Sequence, residues 1–175
     1  MVARYSLQST VKGETDPVTL IIHQTADTNE QLELLLAVEG AKTLKLVPGR
    51  DLDGAKIMMR AGASFSRHQG VRLSNGFNVV DPSTWHRQGI GTVALNLMVD
   101  WAKRHHPDAD IRPVELKRYK QDVEDDDPRL AFYRRFNLQW DLADQDEDAV
   151  NLLSLPMKVR DLQAVPLPSR LTLLP

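Results

Sequence analysis

From Trp85 to Thr92 the chain reads W-H-R-Q-G-I-G-T, and a long amphipathic stretch follows at once. Gly89 and Gly91 leave the approach to that stretch free of Cβ atoms. Ile90, Val93, Ala94, Leu97, Met98 and Trp101 recur at three- and four-residue steps, the spacing of one helix face. The first four N–H groups of a helix have no partner inside it, and they sit at the positive end of the dipole. A glycine-bearing turn that opens a helix therefore has the chemistry of an anion site, suited to a phosphate or diphosphate. Lys103, Arg104, His105 and His106 crowd the far end, where positive charge suits the dipole, and Pro107 stops the helix.

Three phosphate-binding patterns compete for this turn. A Walker-type loop places lysine after its last glycine, and Gly91 is followed by Thr92 instead. Gly89-x-Gly91-x-x-Ala94 matches the dinucleotide spacing, which would imply a nicotinamide cofactor. Against that pattern, Asp81 to Gln88 separate the strand from the first glycine. Asp108 and Asp110 also precede the next apolar run rather than end it. The third pattern is Gln/Arg-x-x-Gly-x-Gly/Ala after a strand that ends near a proline. Val79-Val80-Asp81-Pro82 and His86-Arg87-Gln88-Gly89-Ile90-Gly91 resemble it, with His86 where Gln or Arg is usual. Asp127-Pro128-Arg129-Leu130-Ala131-Phe132-Tyr133-Arg134-Arg135-Phe136-Asn137-Leu138 resembles a second motif, with Asn137-Leu138 in place of Gly-Phe. Both motifs, in this order, are those of the GNAT superfamily of N-acetyltransferases. The resemblance runs from Val71 to Val159 and leaves the first 70 residues unmatched.

The resemblance implies acetyl-CoA as co-substrate and a primary amine, on a small molecule or a peptide, as acceptor. Backbone N–H groups of Arg87, Gln88, Gly89, Ile90, Gly91 and Thr92 would hold the diphosphate, and Val79 and Val80 would pair with the pantetheine arm. Tyr133 matches the tyrosine that protonates the leaving thiolate; a phenol of ordinary pKa near 10 keeps its proton at neutral pH. Without the resemblance, Tyr133 reads as a core tyrosine on an amphipathic helix. The base stays open between Asp81, Glu115 and a water relay, and His86 is a weaker candidate. That gap keeps a second class of function in view: an acyl-CoA-binding regulatory or interaction module without turnover. The histidines show no ligand spacing with carboxylates, so no metal is expected. Trp85 is expected to anchor the turn by burial.

The elements that position these groups read as an α/β (α+β) domain with a mixed, largely antiparallel sheet flanked by helices. Residues 3–10 and 18–23 predict strands. Thr28 to Gln31 has the form of a capping box before Leu32, Leu35 and Leu36, which predicts a short helix before Gly40. Leu44 to Val47 reads as a strand, Pro48-Gly49 as a turn, and Leu52 to Arg60 as a helix capped by Asp51. The resemblance likewise implies one or two helices after the first strand. Ser64–Arg67, Val71–Leu73 and Phe77–Val80 predict strands, with Asn75-Gly76 a hairpin turn. Ile111–Leu116 predicts a strand interrupted by Pro113, and 128–136 a helix capped by Asp127. Strands from Leu138 and over Val150–Leu155 would close the sheet as a hairpin, and Asn137 would take the left-handed cap.

Composition bounds the alternatives. One domain of 175 residues with 42% hydrophobic content has material for a core. A net charge of −2 argues against a general nucleic-acid binder. The absence of cysteine removes disulfides, thiolate ligands and a cysteine nucleophile. No apolar run approaches the ~20 residues of a membrane span, so the expected setting is cytoplasmic, without membrane partners. Five carboxylates within 121–127 read as a solvated loop that would favour a cationic acceptor. The tail from Pro156, with four prolines and several leucines, is expected to pack on the domain or on a second copy in a homodimer.

Overall fold

The computed structural model describes residues 2–45, 51–73, 80–117, 127–142 and 151–175. A sheet of seven strands organises them: β1 (Val2–Leu7), β2 (Val18–Asp27), β3 (Gln31–Glu39), β4 (Asp51–Leu52), β5 (Ala55–Ser66), β6 (Gly70–Arg72) and β9 (Leu171–Leu173). The order is β4-β5-β3-β2-β1-β9, with β6 also on β5, and every pair of strands is antiparallel. Two helices, α1 (Ile90–His105) and α2 (Pro128–Arg134), two short 3-10 turns (Ser83–Trp85 and Val159–Asp161), and a separate pair, β7 (Glu115–Lys117) with β8 (Asn151–Leu153), complete the described elements. The fold is thus α+β with a large antiparallel sheet.

The expected helix over 28–39 is strand β3. Thr28 Oγ1 accepts from the N–H groups of Glu30 and Gln31, as a helix cap would, but the Thr28 N–H donates to Gln31 O at 2.9 Å and closes a turn instead. The leucines then alternate: Leu32, Leu34, Leu36 and Val38 enter the main core beside Leu20 and Ile22 of β2. The opposite face carries a smaller cluster of Ile21, Ala37 and Ala55 with Leu52 and Ile57.

The expected helix from Leu52 to Arg60 is also strand. Asp53 (φ 46°) and Gly54 (φ 84°) are both left-handed, the two-residue turn that matches strand twist, and β4 folds back on β5 through it. Neither helix implied after the first strand is present among the described residues. Leu44 and Lys45 lie in no element. Leu46-Val47, Pro48-Gly49, Asn75-Gly76 with Phe77–Val79, and all of the acidic run except Asp127 lie outside the described residues.

Other expectations fit more closely. α1 starts and stops where the glycines and Pro107 place it, and it packs its buried side on β3 and β5. Asp127 caps α2 through Oδ1, which accepts from Arg129 N at 2.7 Å, and Asn137 takes φ 70°. The strand expected over Ile111–Leu116 is shorter and shifted. Ile111 makes an isolated parallel bridge to Val71, and Glu115–Lys117 pairs with β8 rather than with the large sheet. No strand starts at Leu138; the Leu155 N–H, which donates to Gln139 O, links that stretch to the segment after β8. The tail packs on the domain, where β9 pairs with β1.

Strand β3 makes a discriminating forecast. Leu34→Ala and Leu36→Ala should each cost about 2–5 kcal/mol in denaturant unfolding, while Glu33→Ala should stay within about 0.5 kcal/mol of wild type. A helix over the same residues would instead spare Leu34.

Candidate functional site

The turn before α1 is built in two steps. A short 3-10 turn at Ser83–Trp85 follows a cis Asp81–Pro82 bond and buries Trp85, as expected for an anchor. Then Arg87 (φ 63°) and Gly89 (φ 92°) swing the chain into the helix. The His86 Nε2–H donates to Val80 O at 2.8 Å, which ties the turn to the residue before it. Gln88 is buried: its Oε1 accepts from Thr10 N at 3.1 Å, and its Nε2 donates to Thr10 Oγ1 at 3.0 Å. The Gln88 side chain is therefore engaged, and the binding expected of this residue falls to its backbone. Ile90 and Thr92 also bury their side chains, while Arg87 stays exposed. Within the helix, the Val93 N–H donates to Gly89 O at 3.0 Å, so the first intrahelical bond begins at the N-cap.

Gly91 opens on a recess of about 30 Å³. Its walls are Gly91, Leu95 and Met98 of α1, Met59 of β5, and Phe132 and Tyr133 of α2. The structure thus brings together two of the residues singled out from sequence, Gly91 and Tyr133, from separate motifs. Gly91, Leu95 and Met98 line up because steps of four and three keep one helix face. A Cβ on Gly91 would lie 3.7 Å from Phe132 Cζ, so the recess tolerates a methyl there and little more.

Tyr133 is packed between Phe132, with ring centroids 5.1 Å apart, and Trp140, at 6.0 Å. Burial pushes its phenol pKa above the usual value of 10, because the phenolate would lose hydration. The phenol is thereby held more firmly in its protonated form. The candidate bases are placed differently: Asp81 and Glu115 are exposed, and neither lines the recess. Asp81 does sit near it, since its N–H donates to Met58 O beside Met59. Val80 is half-buried against the core, and Val79 lies outside the described residues.

Sequence reasoning missed Met59, Leu95, Met98 and Phe132 as neighbours of one recess. Phe132 stood inside the second motif and Met98 on the apolar stripe, but only the fold brings Met59 opposite them. Among the described residues no group of three His, Cys, Asp or Glu converges as a metal-ligand set. Among the same residues no helix is long and apolar enough to cross a membrane. Compared with protein-family models, curated proteins and solved structures, the chain matches none.

The shifted phenol gives a direct readout. Of the three tyrosines, Tyr5, Tyr119 and Tyr133, the last should ionise above pH 10. The difference titration of wild type against Tyr133→Phe should isolate it. The sign follows: stability supplied by the protonated phenol is complete below the unfolded value and is lost as pH rises through the folded one.

Proposed function

We propose that the protein is an acetyl-CoA-dependent N-acetyltransferase that acylates a primary amine. The observation that carries the reading is the meeting of the first turn of α1 with Tyr133 across one recess. The two motifs that resemble the GNAT pattern thus face each other in space.

Acetyl-CoA supplies an activated acetyl group: the amine nitrogen bonds the carbonyl carbon as the C–S bond breaks, the amine loses a proton and the thiolate gains one. Gly91 keeps the helix mouth open, and the backbone N–H groups of its first turn are the donors for a diphosphate. Tyr133 Oη–H is the proton donor to the departing sulfur; burial keeps that proton in place at neutral pH. Met59, Leu95, Met98 and Phe132 make the surroundings apolar, which favours a thioester methyl and excludes water. Among the described residues no carboxylate lines the recess, so the amine's proton leaves through a water relay, or through Asp81 or Glu115 once substrate is bound.

That last point also supports a second reading, an acyl-CoA-binding regulatory or interaction module without turnover. Free-thiol release across a panel of amines, with calorimetry of acetyl-CoA and NAD, separates the readings. The transferase expectation is acetyl-CoA binding with amine-dependent thiol release. Binding without release on any amine favours the module, and NAD binding without acetyl-CoA binding overturns both.

Two variants sharpen the test. Tyr133→Phe should lower kcat by roughly 10²-fold or more with acetyl-CoA affinity nearly unchanged. Gly91→Leu, whose side chain would fill the recess, should weaken acetyl-CoA about tenfold or more, equivalent to at least about 1.4 kcal/mol.

A further inference from the structure

The C-terminal segment touches the glycine turn at Gly89 and contributes no residue to the lining of the recess. Gly89 has φ +92°, and a Cβ built there would lie 3.0 Å from both Leu171 Cδ1 and Pro168 Cγ. Gly91, two residues on, faces Phe132 instead. The turn is therefore held between a C-terminal wall and the recess.

That wall is fastened at several points. Asn96, two turns into α1, grips the backbone of Val165 with both ends of its amide: Nδ2 donates to Val165 O at 2.7 Å, and Oδ1 accepts from Val165 N at 2.8 Å. Gln163 N donates to Phe136 O just beyond α2. Leu171 N donates to Pro168 O, closing a turn against Gly89. Arg170 O accepts from Gln8 N at 2.9 Å, and β9 then pairs with β1. The Thr10 that brackets the Gln88 amide also accepts from Arg170 Nη1 at 3.4 Å.

We infer that residues 162–173 are a backing strap that fixes the first turn of α1, with Asn96 as its positioning residue. The strap leaves the recess open, so it acts as a brace rather than a lid. Its consequence for ligand affinity rests on the acetyl-CoA reading; its effect on the turn does not. Without the Asn96 grip, the helix front loses its rear support while the sheet pairing that forms the core is untouched.

The test uses the full chain as wild type, Asn96→Ala and Leu171→Ala. Native-state hydrogen exchange reads the Val93 amide, bonded to Gly89 O, against amides of the β2–β3 pair. Calorimetry reads acetyl-CoA affinity, and steady-state kinetics reads KM and kcat separately. The strap predicts exchange at Val93 at least tenfold faster in both variants with β2–β3 exchange unchanged. It also predicts a severalfold rise in Kd and KM for acetyl-CoA at constant kcat. Unchanged exchange at Val93, or a uniform acceleration that includes β2–β3, overturns the strap. Local acceleration at Val93 in a protein that binds no acetyl-CoA upholds the strap and removes the transferase reading.

Discussion

One long helix has to cover the core face of the large sheet, and the placement of everything chemical follows from that. Ile90, Val93, Ala94, Leu95, Met98, Val99, Trp101 and Ala102 are all buried along α1. Large apolar side chains such as these stabilise by about 1.5–3 kcal/mol each when withdrawn from water. At its far end the helix is pinned to the β2–β3 turn. There the Trp101 indole donates to Thr28 O at 2.7 Å and the His106 Nε2–H donates to Asn29 O, while the His106 ring stacks on Phe65 of β5 with centroids 3.7 Å apart. A helix fixed along its length and at one end has its axis set, which leaves its opening turn to be held by the strap behind Gly89. The direction in which its opening amides point is therefore set by core packing, not by the turn alone.

Legibility in the sequence divided along the same line. α1 announces itself through period, cationic last turn and terminating proline, all within one stretch of chain. α2 does so through Asp127, Pro128 and the left-handed Asn137. Strands β3 and β5 were hidden because leucine, methionine and alanine favour helices in isolation, and the cross-strand neighbours that hold them extended are distant in sequence. Leu36 opposes Ile22 on one side and Met59 on the other, pairings that no local pattern displays. Two local clues were misassigned. Thr28 closes a turn with the same side-chain geometry that would cap a helix, and Asp53-Gly54 is a hairpin turn read as the start of a helix.

The site shows the same split. Gly91 and Tyr133 could be named because each stands inside a recognisable short motif. Met59 could not, since its place opposite Leu95 and Met98 depends on β5 being a strand. Gln88 shows it as well. Its amide side chain is spent on Thr10, a tertiary contact that spacing does not reveal. His86 is likewise engaged with the Val80 carbonyl, which fixes the ring tautomer with its proton on Nε2.

Strands β1 and β9 bring residues from opposite ends of the numbering side by side: Tyr5 faces Leu173 and Leu7 faces Leu171. Closing so large a loop costs entropy that only the completed pairing returns. During synthesis the sheet from β1 to β5 can assemble early through its hairpins, whereas β1 keeps an unpaired edge until residues 171–173 have left the ribosome. The vulnerable interval is thus the one between the emergence of β5 and that of β9, when a strand edge lies open to stray partners and a holdase chaperone would do the most good.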